Sequence, residues 1–217
     1  TATTEIYTLS LHDALPILIA AGRAAPLSMV ALAAGTALAT LAWTGHGAMD
    51  EGATGWVHLV ADILHLLAAG AWIGALLGLT LLVTRAPSQV DATHLRLTHR
   101  ALHGFGLVGT IVVGTIIVTG LVNGWLLVGA SNLPRLPTSL YGQLLLAKLA
   151  LFGAMLGLAS LNRFRLTPAF ERSVAARDHR AALGALRRSL AIEASCAVTI
   201  LALIAWLGML EPPATAM

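Results

Sequence analysis

Five long apolar segments constrain what this chain can fold into. They cover approximately residues 27–43, 56–83, 105–128, 140–161 and 190–210. Each is close to the ~20 residues that a helix needs to cross the ~30 Å hydrocarbon core of a bilayer. Such long, evenly apolar segments are not typical of surface helices in soluble proteins. We therefore predict an all-α fold, a polytopic transmembrane helix bundle of about five spans.

The composition agrees with this prediction and excludes several functions. The 217 residues are 57% hydrophobic and only 11% charged, whereas soluble domains carry about 25% charged residues. Much of the surface must therefore face lipid. The sequence has one cysteine, which excludes an intrachain disulfide and a paired-cysteine metal motif. It also lacks the phosphate-loop, zinc-protease and serine-hydrolase motifs, so we expect no enzymatic activity.

The first residues need separate treatment. Residues 1–17 read TATTEIYTLSLHDALPI, and they resemble the conceptual translation of a common sequencing adaptor. We interpret this segment as a sequencing artefact and exclude it from fold reasoning. The transmembrane domain would then cover residues 18–213, and residues 214–217 would form a tail.

The arginines between the apolar segments predict the orientation in the membrane. Residues 44–55 contain none, 85–103 contain three, 129–139 contain one and 162–188 contain seven. Basic residues mark cytoplasmic segments, so 85–103 and 162–188 should be cytoplasmic and the C-terminus should face outward. A formal net charge of +3 that is concentrated in this way indicates an orientation signal. We therefore expect no nucleic-acid partner.

Three ionisable residues occupy the outer half of the second apolar segment. His58, Asp62 and His65 are spaced i, i+4 and i+7, which places them on one helix face. Ionisable groups within a span are costly and usually functional. His46 lies in the preceding segment, which has no Lys or Arg. Because imidazole binds copper in either oxidation state, His46, His58, Asp62 and His65 are our candidate metal ligands.

The spacing alone leaves three interpretations open. The column could contact a metal, it could be a polar network without a metal, or a histidine could ligate haem. Lys148, in the fourth segment, should lie at about the depth of Asp62. A buried lysine requires an anion, so Asp62 would then be a counter-ion rather than a ligand. Asn123 is placed to hydrogen-bond in the same region.

Two further patterns predict helix packing. Gly70, Gly74 and Gly78 share one face of the second segment, which predicts close approach of another helix. Glu193, near the start of the fifth segment, should form an ion pair at a helix end with Arg163 or Arg188.

Several short segments resemble the copper resistance protein D (CopD) family. They occur in chain order, and they are 44–46 (TGH), 58–74 (HLVADILHLLAAGAWIG), 119–123 (TGLVN), 141–148 (YGQLLLAK), 161–163 (LNR) and 186–193 (LRRSLAIE). The resemblance implies a multi-pass protein of the bacterial inner (plasma) membrane that moves copper inward in copper resistance or homeostasis. It also implies a periplasmic copper-binding partner similar to CopC. Carried over residue by residue, it makes His46, His58, Asp62 and His65 the copper path. A b-type haem redox protein is the alternative function.

Overall fold

The structure, a computed structural model, describes residues 27–44, 52–84, 92–175 and 180–210. Every regular element within these ranges is a helix, which confirms the predicted all-α fold. His46, the proposed artefact at 1–17 and the tail at 214–217 lie outside the described residues. The elements are α1 (Leu27–Thr40) with a 3-10 turn (Leu41–Thr44), α2 (Gly52–Val83), α3 (Ala92–Val128), a 3-10 segment (Ala130–Thr138), α4 (Leu140–Leu161), a π turn (Asn162–Leu166), α5 (Thr167–Ala175) and α6 (Arg180–Leu207).

Four segments in the described ranges are long and apolar enough to cross a membrane. They are Gly52–Val83, Arg100–Val128, Leu140–Ser173 and Ala181–Leu207. The first predicted span corresponds to a shorter apolar helix, Met29–Thr44. The chain is a multi-pass membrane protein.

Two helices extend well beyond the predicted spans. α3 begins at Ala92 and α6 begins at Arg180, so the segments predicted as the loops 85–103 and 162–188 are largely helical. Arginine and alanine are good helix formers in water. Hydropathy therefore marks where a helix enters the membrane and not where the helix begins.

α2 is the central helix of the bundle. It packs against α1, α3 and α6, while α4 packs against α6. The apolar core lies between the inner halves of these helices, where the rings of Trp72 and Phe152 are 6.3 Å apart. Polar side chains lie at two depths of the bundle, one toward the predicted outer side and one toward the inner side.

The predicted glycine contact face is correct at only one of its three positions. A Cβ atom at Gly70 would meet the Leu38 side chain of α1, but at Gly74 and Gly78 nothing described lies within 4 Å. α1 crosses α2 at the height of Gly70, and the prediction of a continuous face was wrong.

The outer end of α4 is fixed by the segment that precedes it. The Ser139 Oγ accepts a hydrogen bond from the Gly142 N–H at 3.1 Å and caps the helix. A Cβ atom at Gly142 would collide with the backbone of Leu136. The 3-10 segment therefore lies directly on the first turn of α4, two turns above Lys148.

Candidate functional site

Three helices place polar side chains together in the outer half of the bundle. We define the outer cluster as Asp62 and His65 on α2, Thr119 and Asn123 on α3, and Lys148 on α4. α2 and α3 pack closely along their length, which brings the i, i+4, i+7 column of α2 against α3. The predicted column therefore points into the bundle over part of its length.

The His65 ring is hydrogen-bonded to α3. The Thr119 Oγ1 donates to the Thr115 carbonyl at 2.6 Å, and the same oxygen lies 2.9 Å from the His65 Nδ1. In the tautomer that donates from Nδ1 to this oxygen, the Nε2 atom keeps its lone pair, which is the form that binds metals. A Cβ atom at Gly120 would lie 3.3 Å from the His65 Cε1, so the glycine gives the ring room to lie there.

Asp62 has an amide and an ammonium as neighbours. The Asn123 Nδ2 donates to the Asp62 Oδ1 at 3.3 Å. The Lys148 ammonium interacts electrostatically with the Asp62 carboxylate and with the His65 ring. The Asn123 Oδ1 is buried and has no hydrogen-bond partner. The predicted neighbourhood of Asp62, Lys148 and Asn123 is therefore present.

The three predicted ligands that the structure describes do not form one closed site. His58 is 3% exposed and lies one turn from Asp62 toward the outer end of α2. Among the described residues no group of three or more His, Cys, Asp or Glu side chains could hold a metal ion. The column is instead extended along the helix. His65 bonds to a threonine, and nothing described supports a haem held by two histidines on facing helices.

A second polar group lies near the predicted cytoplasmic side. We define the inner cluster as Thr110 on α3, Asn162 and Arg163 on the π turn, and Glu193 on α6. They line a cavity of about 220 Å³ among α2, α3, α4 and α6. The Arg163 Nη1 donates to the Gly106 carbonyl at 2.7 Å and to the Thr110 Oγ1, and the Asn162 Nδ2 donates to the Glu193 Oε1.

The predicted ion pair of Glu193 with Arg163 or Arg188 was wrong. Consecutive residues point about 100° apart on a helix, so Asn162 faces α6 while Arg163 faces α3. Arg188 is exposed. The sequence also gave no indication of Thr119 as a partner of His65, because threonines in a span usually bond to their own backbone, as Thr115 does.

Two family models match the chain. The model for copper resistance protein D matches residues 99–207, which is half of the chain. The model for the copper resistance protein D-like N-terminal domain matches residues 6–56. The second match includes residues 6–17, so the artefact interpretation of that segment stays a prediction.

Three known proteins are similar in sequence. Copper resistance protein D of Pseudomonas syringae pv. tomato is 48% identical over 87% of this chain and 60% of its own length. Inner membrane protein YebZ of Escherichia coli strain K12 is 29% identical over 79% of this chain and 55% of its own length. Copper transport protein CutJ of Bacillus subtilis strain 168 is 36% identical over 58% of this chain and 22% of its own length.

The share of each protein that a match covers decides whether the match shows a common family or a common function. The chain spans less than two thirds of the length of each relative. No solved structure gives a significant match. The family model for copper resistance protein D nevertheless covers α3 through α6 almost completely. The similarity to the Pseudomonas protein extends over most of the chain. This chain belongs to the copper resistance protein D family.

Proposed function

We propose that this protein transports copper ions inward across the bacterial inner membrane as part of copper resistance or homeostasis. The observation that carries the proposal is the outer cluster. It places an imidazole, a carboxylate and an amide together within the spanning part of the bundle. Polar groups at this depth are costly and usually belong to an ion pathway.

The proposed path follows α2 from the outside inward. A copper ion would meet His46 first, then His58, and then Asp62 and His65. Imidazole nitrogens suit both oxidation states of copper. His58 and His65 are seven residues apart, or about 10 Å along the helix, so each would bind the ion in succession. Weak, successive sites allow an ion to enter and also to leave.

Lys148 has a defined part in this proposal. Its ammonium interacts with both Asp62 and His65, so it neutralises the carboxylate when no ion is present. A copper ion in the cluster would take over the attraction to Asp62 and would be repelled by Lys148. This repulsion keeps binding weak and favours release. Asp62 would thus serve as counter-ion and ligand in turn.

We propose a periplasmic copper-binding protein similar to CopC as the partner that delivers the ion. Residues 44–55 contain no Lys or Arg but include Asp50 and Glu51. An acidic segment with a histidine at the outer face would attract a cation released by such a partner.

The test is copper accumulation in cells that express the full-length protein. The double substitution His58→Ala and His65→Ala should lower accumulation to that of cells without the protein. The matched control is Val57→Ala with Leu64→Ala, which changes the neighbouring side chains on α2. Val57 and Leu64 are 56% and 45% exposed, so they face away from the bundle interior, and this control should accumulate copper normally.

The amount of protein in the membrane must be equal for all variants, as measured by immunoblotting of membrane fractions. Normal accumulation by the histidine double variant would remove these histidines from the mechanism. The outer cluster would then be a structural network without a transported ion.

A further inference from the structure

Glu193 is a buried acid that the copper path does not use. It is 4% exposed and lies near the middle of α6, in the wall of the inner cavity. In the part of the chain that the structure describes, its hydrogen-bond partner is the Asn162 side chain. A carboxylate that is buried in a bilayer without a cation is costly.

Among the described residues no cation is paired with Glu193 to offset this cost. Arg163 donates to α3, and Arg187 donates to the Val83 carbonyl. Lys148 is 14 residues from Asn162, or about 21 Å along α4. Glu193 forms no ion pair with any described residue. Among the described side chains, the other titratable or charged ones on α6 and on the elements packed against it are His58, Asp62, His65, Tyr141, Lys148, Arg163, Arg165, Glu171, Arg172, Arg187, Arg188 and Cys196.

The amide next to Glu193 is only half satisfied. The Asn162 Nδ2 donates to Glu193, but the Asn162 Oδ1 is buried without a hydrogen-bond partner. An ionised carboxylate can only accept hydrogen bonds, whereas a protonated one also carries an O–H donor. A carboxylic acid and a primary amide pair through two antiparallel hydrogen bonds. A proton on the second oxygen of Glu193 would therefore supply the donor that the Asn162 Oδ1 lacks.

We propose that Glu193 binds a proton inside the bundle and that Asn162 holds this protonated acid through an acid–amide pair. One proton removes the uncompensated charge of Glu193 and satisfies the buried amide oxygen. The cavity of about 220 Å³ beside the pair has room for several water molecules, each of which occupies about 30 Å³ in the liquid. Water in this cavity would exchange the proton. The π turn that presents Asn162 is of a kind that is frequent at functional sites.

Infrared spectroscopy tests this proposal without copper. A protonated carboxylic acid has a carbonyl stretch that is separate from the carboxylate bands and shifts in heavy water. The full-length protein in vesicles at neutral pH should show this band, and Glu193→Gln should lose it. Glu171→Gln, a change of the same type on α5, should keep it. A difference spectrum that shows carboxylate bands lost from Glu193→Gln, and no acid band, would overturn the proposal.

A second variant keeps the test decisive if Glu193→Gln fails to insert. Asn162→Ala retains the acid but removes its hydrogen-bond acceptor, so the acid band should move to higher frequency. An unchanged acid band in Asn162→Ala would show that the amide does not hold the proton. Neither measurement depends on copper transport, so a failure here leaves the copper proposal standing.

Discussion

The outer and inner clusters place polar groups at two depths of the bundle, and they do so in different ways. The outer cluster combines an acid, a lysine and an imidazole that interact electrostatically. In the inner cluster the arginine donates to a carbonyl and a hydroxyl of α3, and the acid contacts an amide. The outer cluster should therefore be sensitive to a change of charge, and the inner cluster to the loss of a hydrogen bond.

The names outer and inner depend on which end of the bundle faces the outside of the cell. The test of this orientation has the largest expected effect. Reporter fusions after Pro213 and within residues 174–180 should report opposite sides of the membrane, because basic segments stay in the cytoplasm. An alkaline phosphatase fusion should be active only after Pro213, and a fluorescent protein fusion only within 174–180. Both fusions on the same side would reverse or remove the assignment of inner and outer.

Removing one charge from the outer cluster should destabilise the protein strongly. Asp62→Ala leaves the Lys148 ammonium buried without its counter-ion, at a cost of about 3–5 kcal/mol. Asp62→Ala with Lys148→Ala removes both charges and should cost less. The free energy of unfolding in detergent measures the difference. If the double variant is less stable than the single variant, the two side chains do not act as a pair.

Loss of one hydrogen-bond partner in the inner cluster should lower the free energy of unfolding by less. Asn162→Ala leaves Glu193 without its amide, and an unsatisfied buried polar group costs about 1–3 kcal/mol. Ser160→Ala, an exposed position two residues earlier on α4, is the control and should leave the free energy of unfolding nearly unchanged. A loss of stability from Asn162→Ala as large as that from Asp62→Ala would contradict the difference between the clusters.

The smallest effect on stability is expected at Gly120. The substitution Gly120→Ala should stabilise the helix by about 1 kcal/mol through its higher helix propensity. The added Cβ would lie 3.3 Å from the His65 ring, and this crowding should cost about 1 kcal/mol or more. Stability should change little, while copper accumulation should fall because the ring is displaced. Gly114→Ala has nothing within 4 Å and is the matched control. Normal accumulation with Gly120→Ala would argue against a fixed His65.

The sequence was sufficient to predict the features that follow from hydropathy and helical spacing. The all-α fold and the region shared by Asp62, Asn123 and Lys148 were predicted correctly, because membrane depth follows from counting residues along a helix. Counting does not determine the rotation of one helix about its axis against another. For this reason the partners of Arg163 and Glu193 and the contact of His65 with Thr119 required coordinates.

Uptake of copper into vesicles that contain the purified full-length protein tests the central claim most directly. The wild type and the Val57→Ala, Leu64→Ala control should load copper at equal rates. The His58→Ala, His65→Ala variant should load at the rate of vesicles without protein, because both imidazoles of the α2 column are gone. Uptake by the histidine variant at the wild-type rate would contradict the proposal that copper passes along α2.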